Sequence, residues 1–341
     1  MCKKVVGFGE VMLRLSPPGY LKLIQTDSLT ANYTGAEMNS LVSLRIFGYD
    51  TSFVTKLPDN PVADCAVATM RKYDLGTSDI VRGGERLGTY YSEKGAAQRP
   101  SKVIYDRKYS SISMAEPRDF DWDRILEGAD AFIFSGITAA LGEQLPRICL
   151  EACQTARKKG LTVFCDLNYR KALWTKERAR EVMTGLMPYV DVLLGNEEDS
   201  EKVLGIAPRN SDVTGGKLEK SDYEDVAAQI SQRFGTRRVA FTLRTSLSAS
   251  DNIWNGMVWE AGSAHFSRPY NMHIVDRMGG GDSFGAAMVY ATLECFDAQK
   301  SVDFAVAASC LKHSIELDFN LSGLEDVYQL MNGDGSGRIQ R

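Results

Sequence analysis

The chain has 341 residues, 44% apolar and 25% charged, with 30 Gly and 10 Pro. These values sit near globular averages and exclude disordered, collagen-like and coiled-coil classes. The net charge is −4, no long basic run occurs, and no apolar run nears the ~20 residues that span a bilayer, so neither nucleic acid nor a membrane is an expected partner.

The length suits one large α/β domain or two smaller ones. At the N-terminus Glu10 and Arg14 follow the apolar Val5–Phe8 segment too soon for a secretory signal, so a soluble, cytoplasmic protein is expected. Thr34-Gly35-Ala36-Glu37-Met38-Asn39 then precedes a helical run, Ser40 to Phe47. Residues 13–34 and 86–113 carry Tyr, Thr, Val and Ile at period-two spacing without helical segments. They predict antiparallel strands paired across the intervening chain, forming a small sheet that acts as a lid or an interface.

From about residue 114 short apolar runs alternate with helical-period segments. Ala131–Phe134, Leu161–Cys165, Asp191–Leu194 and Arg238–Leu243 read as strands. Glu143–Lys159, Lys176–Met187 and Glu198–Leu204 read as helices. After a polar loop, Arg209–Lys220, Ser221 with Glu224 predicts a capping box for a helix ending at Phe234. Helices over Ser283–Glu294, Val302–Ile315 and Leu324–Met331 close the pattern, the last with Ser322 and Glu325 as its capping box. Such alternation predicts a mostly parallel sheet covered on both faces, with the α/β domain formed by 1–12, 35–85 and 114–332. The glycine-rich tail, 333–341, is expected to be loose.

The cysteines are seven and no Cys-x-x-Cys occurs, so they read as buried small hydrophobes. Three dispersed histidines make a histidine-rich metal centre improbable.

The segment Asp276-Arg277-Met278-Gly279-Gly280-Gly281-Asp282 carries the most chemical information. Consecutive glycines let backbone N–H groups converge as an anion-binding nest, and the following helix aims its N-terminal amides there. Asp282 suits a base that takes a proton from a hydroxyl while Gly279, Gly280 and Gly281 stabilise a phosphoryl group; a turn capped by Asp282 is the plainer alternative. No G-x-x-x-x-G-K-[ST], G-x-G-x-x-G or G-x-S-x-G pattern occurs in a supporting context, which disfavours P-loop, dinucleotide-binding and serine-hydrolase readings. Asn39 offers both donors and acceptors to sugar hydroxyls, or simply belongs to a helix start. Arg170, in Asp166-Leu167-Asn168-Tyr169-Arg170 after a buried strand, can grip a carboxylate together with Arg107 from the small sheet; surface ion pairs are the alternative. Asn196-Glu197-Glu198-Asp199 likewise ends a strand where hydrated Mg²⁺ can sit, or forms a solvated helix start.

Together these segments resemble the PfkB (ribokinase-like) carbohydrate kinases, from Val6-Gly7-Phe8-Gly9-Glu10 to about residue 316. Within the family the likeness is strongest to kinases of 2-keto-3-deoxy sugar acids. It rests on Leu13–Pro18, Gly35-Ala36-Glu37, Gln98–Val103, Asp106-Arg107, Phe134–Thr138, Asp166–Arg170 with Leu173-Trp174, Asn196-Glu197-Glu198 and Cys310–His313. The resemblance implies a Rossmann-like three-layer α/β/α domain with a β-sheet lid, and MgATP-dependent phosphorylation of a primary hydroxyl. It implies Asp282 as base and Gly279–Gly281 as anion hole. Gly35, Asn39, Tyr90, Tyr105, Arg107 and Arg170 would face the sugar acid. Asn196, Arg244, Thr245, Ser246 and Ser248 would border ATP, with Asp199 reaching Mg²⁺ through water.

The implied reaction converts 2-dehydro-3-deoxy-D-gluconate and ATP to the 6-phosphate and ADP. A kinase for a neutral sugar, or a non-catalytic sugar-acid-binding protein, are the rivals. A homo-oligomer formed through the lid is expected, and a monovalent cation near Asp276 is left open. Four positions depart from the family pattern: Gly280, where many relatives have Ala; Asp199, where they have Glu; Leu317, where the sugar-acid kinases tend to have Gly; and the glycine-poor loop after Arg244.

Overall fold

The structure, a computed structural model, describes residues 2–209 and 219–333. All but Gly333 of the expected loose tail, and most of the polar loop before the Phe234 helix, lie outside them. In chain order the first strands are β1 (Lys4–Phe8), β2 (Met12–Ser16), β3 (Thr30–Thr34), β4 (Asp50–Leu57), β5 (Ile80–Arg82), β6 (Gly88–Glu93) and β7 (Lys102–Asp106). There follow β8 (Ala131–Ser135), β9 (Thr162–Asp166), β10 (Val192–Gly195), β11 (Arg238–Ser246), β12 (Asp251–Glu260), β13 (Ser263–Phe266) and β14 (Tyr270–His273).

Ten strands form one sheet in the order β13-β12-β11-β10-β9-β8-β1-β4-β5, with β14 also on β12. From β11 to β5 every pairing is parallel. The apolar strand runs explain the two-sided covering, because successive residues point to opposite faces. Val5, Ile133 and Phe164 enter one core with the helices Ala36–Ile46, Gly280–Leu293 and Ala298–Lys312. Val6, Phe132, Phe134 and Val163 enter the other with Leu145–Lys158, Lys176–Leu186 and Lys220–Phe234. Each such side chain contributes about 1.5–3 kcal/mol over remaining exposed. The result is the expected Rossmann-like three-layer arrangement.

The remaining strands form a four-stranded sheet, β3-β2-β6-β7. Its cross-gap pair, β2 with β6, is parallel, placing Leu13 opposite Thr89; the expected antiparallel pairing holds only within β2–β3 and β6–β7. The chain between β2 and β6 passes through β4 and β5 of the large sheet. A crossover of that length returns the strand in the same direction, which a hairpin cannot do.

Other corrections are local. Helix Lys220–Phe234 is capped by Glu219, whose N–H donates to Asp222 at 2.8 Å, and Leu324–Met331 by Gly323, whose N–H donates to Asp326 at 2.9 Å. An Asp at the third position serves as well as the Glu sought, so both Ser-first boxes were out of register. The closing helices begin earlier than expected, at Gly280 and Ala298. Residues 251–273, unassigned by periodicity, make the antiparallel edge β12–β14. Cys149, Cys153 and Cys165 are buried as expected, but Cys2, Cys65 and Cys295 are exposed.

The two sheets are joined by one fully buried cation. Arg14 on β2 reaches Asp276 at 2.9 Å and Asp318 at 2.7 Å, and its Nε donates to Ser16 at 2.9 Å. Asn32 on β3 and Tyr90 on β6 also donate to Asp318, at 3.0 and 3.1 Å. Removing one partner of a buried pair leaves the others uncompensated. Arg14→Met should therefore cost about 3–5 kcal/mol in urea unfolding; a loss under about 1 kcal/mol would show that the pair is dispensable.

Candidate active site

At the carboxyl ends of β8–β11, where open α/β sheets place ligands, a cavity of ≈ 340 Å³ lies between the two sheets. Strand ends supply Asp166, Gly195 and Arg244, the loops after them Asn168, Arg170, Asn196 and Asp199, and the small sheet Met12, Thr34, Tyr90 and Tyr105, with Arg107 just after it. The glycine loop supplies Gly279, Gly281 and Asp282.

Gly279 adopts φ +80°, in the left-handed region, and a Cβ there would lie 1.9 Å from the Asp318 carbonyl oxygen. Helix Gly280–Leu293 starts at the next residue, so its first amides share the turn that Gly279 makes. Gly281 faces open space, whereas Gly280 turns inward: a Cβ there would lie 2.3 Å from His313 Cε1. The expected trio of nest glycines is thus divided between one turn-former, one packing position and one exposed to the cavity.

Asp282 is aimed by its neighbours. The Asn39 amide donates to it at 2.6 Å, and the Thr34 hydroxyl donates to the Asn39 carbonyl oxygen at 2.7 Å, which fixes the amide's orientation. Burial pushes Asp282 up to about 7; Asn39 and Arg170 pull the other way, and Glu37 and Asp318 add to the rise. Asp199 is pushed up to about 6 by burial, and Asp166 well above the usual range by burial and by Asp199 and Asp282.

The two arginines differ. Arg107 stands over the Tyr105 ring and is committed to Glu10, its Nε donating at 2.9 Å. Arg170 is exposed to the cavity, and its guanidinium donates to the Tyr169 carbonyl at 3.0 Å. Gly35 permits close passage of the chain, since a Cβ there would meet the Glu10 carbonyl oxygen at 1.9 Å. Asn196 caps a short helix, accepting from Asp199 N–H at 2.7 Å and donating to its carboxylate at 3.0 Å.

Thr245, Ser246 and Ser248 do not line the cavity. Ser248 instead fixes the β11–β12 hairpin, accepting from Asp251 N–H at 2.9 Å. In their place β12 brings Asn252 and Trp254, and the helix end brings His313, whose ring lies 5.0 Å from that of Trp254. Asn252 and Trp254 lie on a hairpin that carries no recognised pattern, while His313 entered only within the Cys310–His313 likeness, with no role given to it.

Among the described residues no group of three or more His, Cys, Asp or Glu side chains can hold a metal alone. Magnesium usually binds through one or two carboxylates plus substrate phosphates. The crowded, raised carboxyls of Asp166 and Asp199 fit that partial role.

A buried carboxyl raised to about 7, beside a glycine turn at the start of a helix, suits phosphoryl transfer to an alcohol. The model of the pfkB family carbohydrate kinases matches residues 3–314, and the chain belongs to that family. It is a carbohydrate kinase. A solved 2-dehydro-3-deoxygluconokinase from Thermotoga maritima is 50% identical, covers 98% of this chain and 99% of its own, and has a TM-score of 0.94. A 2-dehydro-3-deoxygalactonokinase of Haloferax volcanii is 31% identical over 99% of both chains. A 2-dehydro-3-deoxygluconokinase of Thermoproteus tenax is 26% identical over 90% of this chain and 87% of its own. Among the described residues no helix is long and apolar enough to cross a membrane.

The glycines separate by substitution. Gly279→Ala places a side chain in the left-handed region, about 1–2 kcal/mol by itself, and against a backbone oxygen. It should unfold at clearly lower urea, while Gly281→Ala should stay within about 0.5 kcal/mol of the parent. Equal losses would mean that the loop is not held as described.

Proposed function

We propose that this kinase transfers the γ-phosphoryl group of ATP to the 6-hydroxyl of 2-dehydro-3-deoxy-D-gluconate. The observation that carries this reading is Asp282, held by Asn39 at the start of the Gly280–Leu293 helix and facing the shared cavity. Asp282 takes the hydroxyl proton as that oxygen bonds to the γ-phosphorus and ADP departs with the electrons of the broken P–O bond. The amides from Gly279 to Gly281 receive the charge that gathers on the transferring oxygens. Magnesium carried on the nucleotide phosphates would supply further positive charge, with Asp199 and Asp166 as its holders through water. Arg170 takes the sugar acid's carboxylate, because Arg107 already serves Glu10. Tyr90, Tyr105 and Arg107 form the wall by which the small sheet excludes water. Arg244 borders the nucleotide beside Asn196. The names of all three relatives support a keto-deoxy sugar acid as substrate, and the more similar solved one favours the gluconate epimer.

An ADP-release assay with both keto-deoxy acids, gluconate, fructose and ribose tests the substrate. Turnover should be highest with a keto-deoxy acid, and Arg170→Ala should lose much more with it than with any neutral sugar. Preference for fructose or ribose, or equal losses, would sink the assignment; ligand binding without ADP release would favour a sensor.

The base has its own signature. A carboxyl raised to about 7 is neutral, and idle, below that pH. Plotted against pH, kcat/KM should rise through about 7 and level above it. Asp282→Asn should lose about 10²–10⁴-fold and with it that limb. The raised folded value also means that stability present below the ordinary value of 3.8 declines as the pH rises to about 7, where the loss is complete. Asp282→Asn should then melt no lower than the parent at pH 8. A limb that survives the substitution would remove Asp282 from the role.

A further inference from the structure

The region beside the glycine loop holds a second buried cation, which the reaction above does not use. Lys312, the last residue of helix Ala298–Lys312, is 0% exposed. Its ammonium donates to the backbone carbonyls of Asp276 at 3.2 Å and Ile315 at 3.1 Å. These carbonyls belong to the two segments that build the nest: 274–279, ending in the left-handed Gly279, and 313–318, whose Asp318 carbonyl abuts it. The segments also meet through Val275 N–H, which donates to the His313 carbonyl at 2.8 Å.

A monovalent metal ion near Asp276 would need several free oxygens. One carboxylate oxygen of Asp276 accepts from Arg14 at 2.9 Å, with Lys94 at 3.8 Å, and the other accepts from Met278 N–H at 3.1 Å. The main-chain oxygens of 276 and 315 are taken by Lys312 itself. The residues present do not fit a metal ion. They fit an ammonium, whose three donors and point charge suit converging carbonyls. Burial pushes Lys312 down to about 8, opposed by Asp276 and Asp318, so it is cationic at neutral pH.

We propose that Lys312 is the resident cation of the anion-hole loop, its ammonium standing in for a monovalent metal ion, so that phosphoryl transfer needs no added potassium. Lys312 acts through the loop and touches no substrate; it is a positioning residue.

The inference rests on the kinase reading of the Gly279–Asp282 loop, and the two fail separately. Wild-type turnover should be flat when KCl replaces choline chloride at constant ionic strength, and its melting temperature unmoved by the exchange. Lys312→Ala should lose on the order of 10²-fold in kcat, as misplaced catalytic groups do, with little change in KM. Potassium or ammonium chloride, but not choline chloride, should restore part of that loss and raise the variant's melting temperature. Potassium activation of the wild type overturns the inference while leaving the kinase reading intact. So does a folded Lys312→Ala that no small cation rescues. If Lys312→Ala does not fold, Lys312→Met in the same melting assay and the wild-type titration decide it. A wild type inactive on every sugar acid defeats the underlying reading instead.

Discussion

One buried guanidinium sets the geometry of this molecule. Arg14 lies on the small sheet, yet both of its carboxylate partners flank the glycine loop of the large one, Asp276 just before it and Asp318 against Gly279. The small-sheet wall of the cavity and the glycine loop opposite it are thereby fixed to each other through one buried side chain, which Asn32 and Tyr90 reinforce. Two carboxylates buried without that charge would be too costly to keep ionised. Asp318 also receives Tyr90 and Asn32, so three strands of the small sheet end on one acid.

The cavity and the core behind it are rich in buried acid. Asp166, Asp199, Asp282 and Glu37 all have carboxyls raised by burial. Glu37 lies outside the cavity lining, accepting from Ser135 at 2.6 Å and Thr138 at 2.7 Å. On the proposed reading, anion binding falls to main-chain amides and to a divalent metal, while side-chain charge is kept for proton transfer. This division has a physical advantage. Amides hold a phosphate without titrating, so the group proposed to change protonation state, Asp282, is tuned by its own surroundings.

Much of the large sheet was legible because parallel strands buried on both faces read as unbroken apolar runs. The glycine turn that opens helix Gly280–Leu293 was legible because consecutive glycines ahead of a helical run mark a special backbone. What stayed hidden was set by tertiary context. Arg14 alternates with Leu13 and Leu15 and looks like the wet position of a half-buried strand, although it is 1% exposed. Lys312 looks like a basic residue favouring a helix C-terminus. Nothing local tells that the carbonyls of 276 and 315 converge on it. Asn39, read as a sugar contact, sends its amide to Asp282, a contact spanning 243 residues of sequence.

The departures from the family pattern become intelligible as pairs. Gly280 leaves room that the His313 ring fills, since a Cβ there would lie 2.3 Å from Cε1 and 2.6 Å from Nε2. His313 cannot retreat easily: Nδ1 lies 2.7 Å from the Ser309 carbonyl, and Trp254 lies beside the ring. Burial holds it down to about 4, so it is a neutral packing group whose Nδ1–H serves that carbonyl. A chain with Ala at position 280 must therefore place the residue at 313 differently. Leu317 shows the complementary case. Its φ of +67° lies where glycine is favoured, at a cost of about 1–2 kcal/mol for a leucine. That strain sits between two anchored neighbours, Ile315 bonded to Lys312 and Asp318 bonded to Arg14. The same pair of cations that flanks the glycine loop thus holds the backbone turn that glycine would otherwise have made easy.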